Sequence, residues 1–134
     1  MKTGSCLCGA ITFQLAGKLA PIEICHCSQC RKAQGGPFAT NIPVPTDQFH
    51  FLQGEDALSV YESSPGKERA FCSRCGSPIF SRRVARPDVL RVRAGLINGP
   101  LNTPLDSHAF TDSGADWWQI QDDLPQHPGA RQLP

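Results

Sequence analysis

The stretch Cys25-His26-Cys27-Ser28-Gln29-Cys30 places three thiols in six residues, as C-x-C-x-x-C. Outward from it lie a C-x-C pair upstream, Cys6-Leu7-Cys8, and a C-x-x-C pair downstream, Cys72-Ser73-Arg74-Cys75. These groups hold all seven cysteines of the 134-residue chain. An odd count fits poorly with a closed disulfide framework, and a soft divalent metal explains every member. Zinc takes thiolate and imidazole ligands in tetrahedral geometry. A C-x-x-C turn sets two sulfurs on one side of a tight loop, and Gly76 after Cys75 suits a position at positive φ. That knuckle needs two more ligands, and the isolated pair Cys6 and Cys8 supplies two and nothing more. The grouping Cys6, Cys8, Cys72 and Cys75 is thus a closed, structural zinc site whose binding energy contributes to folding.

Cys25, Cys27 and Cys30 then form a second site. Three protein ligands leave one tetrahedral position open, which is the mark of catalytic zinc. The expectation is two zincs per chain, with the second site partly occupied. Two alternatives stand beside it: a different pairing of the cysteines, or closure of the second site by His26, His50, His108 or His127. His26 sits between two ligands and is expected to point away from the metal. A thioredoxin-like redox role for either C-x-x-C needs a helix in a βαβ setting, and none is visible.

Composition narrows the classes further. The length suits one domain, and 40% hydrophobic content suits a globular chain. A net charge of +1 argues against nucleic acid and against an acidic membrane surface. No run approaches the ~18 apolar residues that span a bilayer. The N-terminal residues show no apolar signal core, so the expected compartment is the cytoplasm, where thiols stay reduced.

The pattern along the chain is one of short strands. Residues 10–15 alternate, with Ile11, Phe13 and Leu15 inward. Residues 22–24 are an extended entry to the central cysteines. Residues 28–34 suit one or two helical turns capped by Ser28 and stopped at Gly35-Gly36-Pro37. Residues 38–44 read as extended, with Pro43 and Pro45 confining them to an edge or a strand end. Further strands are expected around Phe49 and Phe51, at 58–61 and, after a turn at 63–66 before Arg69-Ala70-Phe71-Cys72, at 79–83 and 90–94. In the last, Leu90, Val92 and Ala94 share one face, and Arg91 and Arg93 form a solvent face. Trp117, Trp118 and Ile120 are expected to pin the later chain onto the core. Residues 1–125 read as one zinc-binding domain and 126–134 as an irregular tail.

At this point the sequence resembles a known family. Gly4-Ser5-Cys6-Leu7-Cys8-Gly9-Ala10-Ile11-Thr12-Phe13 resembles the opening G-x-C-x-C-G-x-[VI]-x-F of the glutathione-dependent formaldehyde-activating enzymes, a family that includes centromere protein V. Cys25-His26-Cys27-Ser28-Gln29-Cys30-Arg31, with Gly35 and Phe38, is similar to its C-H-C-x-x-C segment. Tyr61, Ser63, Ser64, Arg69 and Phe71-Cys72-Ser73-Arg74-Cys75-Gly76-Ser77 match a third segment, and His108-Ala109-Phe110 and Trp117 match later features. The chain departs from many members in having Ala109 within that triplet and Ala115-Asp116 before Trp117.

The resemblance implies a mainly β, β-tent fold of small antiparallel sheets with zinc-binding cysteine knuckles. It also implies the same partition of cysteines into two sites. It implies a carbon–sulfur lyase that interconverts S-(hydroxymethyl)glutathione with glutathione and formaldehyde. Arg31, Lys32, Gly35 and His108 are the candidate substrate contacts: Arg31 and Lys32 by charge beside the cysteines, Gly35 by close backbone approach, His108 by resemblance. Each also has a plain structural reading, as a solvated turn, a helix stop or a hydrogen-bonded histidine. The competing class is a zinc-stabilised binding module without catalysis, since fold alone does not choose between them. The sequence sets no oligomeric state.

Overall fold

A computed structural model describes residues 1–131; residues 132–134, the end of the expected tail, lie outside the described residues. Among the described residues the architecture is mainly β, with two sheets, one short α-helix and four 3-10 turns. The smaller sheet has the order β1 (Lys2–Ser5), β2 (Thr12–Leu15), β5 (Phe49–Gln53). The larger has seven strands in the order β10 (Leu105–Ala109), β3 (Ile22–Cys25), β4 (Ala39–Pro45), β9 (Arg86–Arg93), β8 (Pro78–Arg83), β7 (Lys67–Cys72), β6 (Leu58–Ser64). Every pairing is antiparallel except β10 with β3. One sheet is therefore wider than the small antiparallel units the resemblance implies, and it carries one parallel edge.

The alternation expected over residues 10–15 sets the core of the small sheet. Ile11, Phe13 and Leu15 are fully buried, while Thr12 and Gln14 are half-buried. Phe13 stacks on Phe49 at 5.0 Å, and Phe49 meets Phe51 and, in the large sheet, Phe80 edge-on. This aromatic seam is where the two sheets pack, with offset and edge contacts that aromatic rings prefer.

The large sheet has two unlike faces. Ala70, Phe80, Val92 and Ile42 are register partners across β7, β8, β9 and β4, and all four are buried in the core. Because side chains alternate along a strand, the adjacent register row, Arg69, Ser81, Arg91 and Pro43, belongs to the other face. Lys67 pairs with Arg83, and Arg93 with Asn41, on that same face.

Several expectations are corrected. Strand β4 is not an edge: β3 and β9 flank it. However, β3 pairs only with residues 39–41, so at Pro43 and Pro45 the strand has a partner on one side alone, which a residue without N–H tolerates. Arg93 is not solvent-facing but 4% exposed, because it bonds Asn41 and lies against the central cysteines Cys30 and Cys25. Trp117 and Trp118 are 65% and 46% exposed; Trp118 meets Phe38 edge-on at 5.7 Å, and the segment runs over the surface instead of entering the core. The stretch after Leu124 has no regular element, yet it is bonded along β10: His108 N donates to Pro125 O, His127 N to His108 O, and Phe110 N to Gly129 O.

Candidate metal centres and the cationic cleft

The β1–β2 turn carries Cys6 and Cys8, and the β7–β8 turn carries Cys72 and Cys75, so one sulfur cluster bridges the two sheets. Its four sulfurs lie within 4.8 Å of one another, with Cys6 to Cys8 at 3.6 Å and Cys8 to Cys72 at 3.9 Å. Four sulfurs on a tetrahedral zinc at ~2.3 Å would be about 3.8 Å apart. Backbone donors also face the sulfurs: Ile11 N reaches Cys6 Sγ at 3.3 Å and Arg74 N reaches Cys72 Sγ at 3.4 Å. Hydrogen bonds from Ser77 hold the Cys75 thiol down to about 5. Gly76 sits at φ 79, which lets the knuckle close with Gly76 N on Cys72 O at 2.8 Å. Spacing and the facing backbone donors fit a metal ion here.

The second group forms where β3 runs into α1 (Ser28–Gln34). Cys25 ends the strand and Cys27, not Ser28, caps the helix: its sulfur accepts the Cys30 N–H at 3.2 Å. The thiol is the better-placed acceptor because Cys27 has the extended backbone of a cap, while Ser28 is already helical. Gly35 ends the helix in the left-handed conformation at φ 72. The sulfurs of Cys25, Cys27 and Cys30 lie within 4.8 Å of one another, and no fourth histidine, cysteine or carboxylate joins them among the described residues. Hydrogen bonds from the Cys25 and Cys30 thiols hold the Cys27 sulfur well below the ordinary thiol range, and the same pairing pushes Cys25 up. The cluster thus fits a metal that accepts three thiolates. A strand does precede this helix, but β3 and β4 are antiparallel, so the βαβ frame of a thioredoxin-like site is absent.

His26 points away from these sulfurs, as expected. It is 2% exposed, its Nε2 lies 2.8 Å from His108 Nδ1, and His108 Nε2 lies 3.0 Å from Asp122. The His108 bond holds Asp122 below the usual carboxylate range. An ionised Asp122 accepts from His108 Nε2, which leaves His108 Nδ1 to accept from His26. Burial, then the neighbouring His108, pushes the His26 pKa down.

Beside the three-sulfur group lies a cleft of about 290 Å³. Its sheet wall is the polar face described above, carrying Lys67, Arg69, Arg83 and Arg91, and its rim includes Phe110 and Arg131. Glu23 is the acid in the wall, and Arg131 bonds it at 3.2 Å. Lys67 and Arg83 face each other directly across strands, an arrangement that costs stability for like charges. Burial, then Arg91, Arg83 and Arg69, push Lys67 down to about 8. Lys67, Arg83 and Arg91 have no side-chain hydrogen bond or ion pair among the described residues, whereas Arg69 and Arg131 do.

Sequence reasoning missed this cationic wall. The signal was present as cations at period two, Lys67 and Arg69 on one strand and Arg91 and Arg93 on another, but it needs the cross-strand register to be read. The four candidate substrate contacts do not line the cleft. Helix α1 turns Arg31 toward Ser113 O, bonded at 3.0 Å, and leaves Lys32 exposed. Gly35 is spent on the helix cap, and His108 on the buried chain to Asp122.

The fold and clusters define a class: a mainly β protein whose turns gather cysteines into two candidate metal centres, one closed and one facing a basic cleft. The profile of the glutathione-dependent formaldehyde-activating enzymes matches residues 1–113, and the chain belongs to that family. A Halomonas elongata protein that carries, provisionally, the name glutathione-dependent formaldehyde-activating enzyme is 34% identical over 127 residues, covering 88% of this chain and 80% of its own. A Schizosaccharomyces pombe protein named an uncharacterised lyase is 26% identical over 117 residues, covering 87% and 83%. A crystal structure of a Rhodobacter sphaeroides protein shares the fold with a TM-score of 0.63 at 22% identity, over 77% of this chain and 98% of that one.

The two clusters make separable predictions. Cys72→Ser removes a thiol from the cluster that joins the sheets and, if that cluster holds a metal, is expected to cost on the order of 5 kcal/mol or more of stability. Cys27→Ser is expected to lose one metal equivalent and keep a cooperative thermal transition near that of the parent. Equal destabilisation by the two, measured by calorimetry with metal analysis, contradicts the division of roles.

Proposed function

We propose that this chain is a carbon–sulfur lyase that interconverts an anionic thiol and an aldehyde with their S-hydroxyalkyl adduct. Glutathione and formaldehyde are the leading pair, with zinc in both cysteine groups. The observation that carries this reading is the three-sulfur group opening onto a cleft wall of Lys67, Arg83 and Arg91 that have no partner among the described residues. Such cations suit the carboxylates of a peptide thiol. The second reading, a binding module, gives no account of unpaired cations converging on three thiols. Among the described residues no helix is long and apolar enough to cross a membrane, and the cysteine usage suits the reducing cytoplasm, where we place the protein.

Cys25, Cys27 and Cys30 would hold the ion, which when bound supplies an open position that lowers a thiol's pKa and polarises a carbonyl. Lys67, Arg83 and Arg91 would hold the substrate's carboxylates and so fix where its sulfur enters, a positional contribution to rate. Arg131 keeps Glu23 engaged, which removes the repulsion that a bare carboxylate in the wall would exert. In the breakdown direction the C–S bond breaks with its electron pair left on sulfur, the O–H pair becomes the second carbonyl bond, and the hydroxyl proton passes through solvent to the departing thiolate, so that thiol and aldehyde are released; synthesis is the reverse.

A charge-assisted contact contributes ~1.5–3 kcal/mol. Lys67→Met or Arg91→Met is therefore expected to raise KM for glutathione about tenfold or more while leaving the rate with 2-mercaptoethanol unchanged. Equal loss with both thiols in steady-state kinetics contradicts the carboxylate role.

Anion binding should also carry a proton signature. Lys67 holds its proton only below about 8 in the fold against 10.5 ordinarily, so the depression costs the empty protein stability below 10.5, in full below about 8. A bound carboxylate favours the ammonium and raises that pKa. Binding is thus expected to take up a proton just above pH 8 and to weaken as pH rises further. Calorimetry in two buffers of different ionisation heat checks this; no buffer dependence contradicts it.

A further inference from the structure

Arg69 is distinct from the other cations of the wall because its guanidinium is already committed. Its Nε donates to Ser63 Oγ at 3.0 Å, and both terminal nitrogens lie 3.8 Å from the Cys30 sulfur. Cys30 is buried, so this charge meets the sulfur with little screening water. The neighbouring Arg93 is buried too, with one terminal nitrogen on Asn41 and its Nε without a partner. The side of the three-cysteine group that faces the sheet is therefore backed by fixed positive charge.

We infer that Arg69 is a positioning residue for the three-cysteine centre, which clamps the Cys30 sulfur and draws negative charge from it instead of binding substrate. N–H groups on a ligand sulfur withdraw electron density, and outer partners of this kind orient the ligand and tune the ion it holds. At 3.8 Å the contacts are long for directional bonds, so the proximity of a full charge carries most of the effect. Arginine suits the task because it stays protonated throughout the working pH range. The Ser63 brace on Nε keeps the planar group aimed at the sulfur, and strand β7 places Arg69 on the cleft face three residues before Cys72 of the other cluster. A sulfur held this way donates less to a bound ion, which leaves that ion more receptive to an incoming thiol.

This inference rests on a metal in the three-cysteine group and not on thiol–aldehyde chemistry. The test uses the full chain with zinc in the four-cysteine group and cobalt added to the three-cysteine group after mild chelation. The sulfur-to-cobalt charge-transfer band is read without thiol or aldehyde. Arg69→Gln is expected to bind the same cobalt equivalent with the band moved to longer wavelength, because the sulfur is richer in electrons. Ser63→Ala, which keeps the charge but frees the brace, is expected to move the band the same way by less. In zinc protein, Arg69→Gln is expected to lower kcat by about ten- to a hundredfold with KM for glutathione nearly unchanged. An unmoved band in either variant at full cobalt occupancy overturns the inference, and if Arg69→Gln does not fold, Ser63→Ala decides alone. A raised KM with band and kcat unchanged would instead make Arg69 a carboxylate contact. A band shift in a chain without lyase activity would sustain this inference while sinking the proposed reaction.

Discussion

The four-sulfur cluster joins two turns that the chain separates by more than sixty positions: Cys6 and Cys8 between β1 and β2, and Cys72 and Cys75 between β7 and β8. A three-stranded sheet has little core of its own, and here it must be held against a larger one. Beyond the cluster, the sheets meet through the Phe13, Phe49 and Phe80 seam. A four-thiol cluster able to hold a metal at one end and aromatic packing along the interface suit a chain of this size, for which hydrophobic burial alone is marginal. Everything at the second cluster depends on that anchoring, because β7 leads from the cationic wall straight into Cys72.

The large sheet divides its labour by face. Ala70, Phe80, Val92 and Ile42 take the core, while the alternate residues gather Arg69, Ser81 and Arg91, with Lys67 and Arg83 in the row to one side and Asn41 and Arg93 in the row to the other. Facing Lys67 with Arg83 and burying Arg93 both cost stability. On the proposed reading those costs are offset where negative charge arrives, from metal-binding thiolates on one side and from substrate carboxylates on the other. The same face thus tolerates cations that no ordinary solvent-facing sheet would need to hold so closely.

The cysteine grouping was legible because ligand demand is local: a lone C-x-C has two ligands to offer and a knuckle lacks two. Helix α1, the stop at Gly35, the buried alternation at Ile11, Phe13 and Leu15 and the positive φ at Gly76 were legible for the same reason. The cleft was not. Arg91 and Arg93 looked like a solvent face because a single strand shows only that they share a side; what covers that side depends on β7 and β8 and on the segment carrying Cys25. Arg31 and Lys32 drew attention by proximity in sequence, but a helix rotates neighbours apart, and Arg31 bonds Ser113 O instead. The tail after Leu124 shows no periodicity because, among the described residues, it pairs with β10 only through one isolated parallel bridge, His108 with Gln126, and not along a strand.

The central claim is that the three-cysteine centre keeps a position open for a substrate sulfur. X-ray absorption at the zinc edge measures it directly, since sulfur and lighter ligands scatter differently. The account predicts about 3.5 sulfurs per zinc in the resting protein, the mean of a four-thiolate and a three-thiolate site, rising to about four when glutathione is added. Four sulfurs per zinc before any thiol is present, or a count that glutathione leaves unmoved, would contradict it.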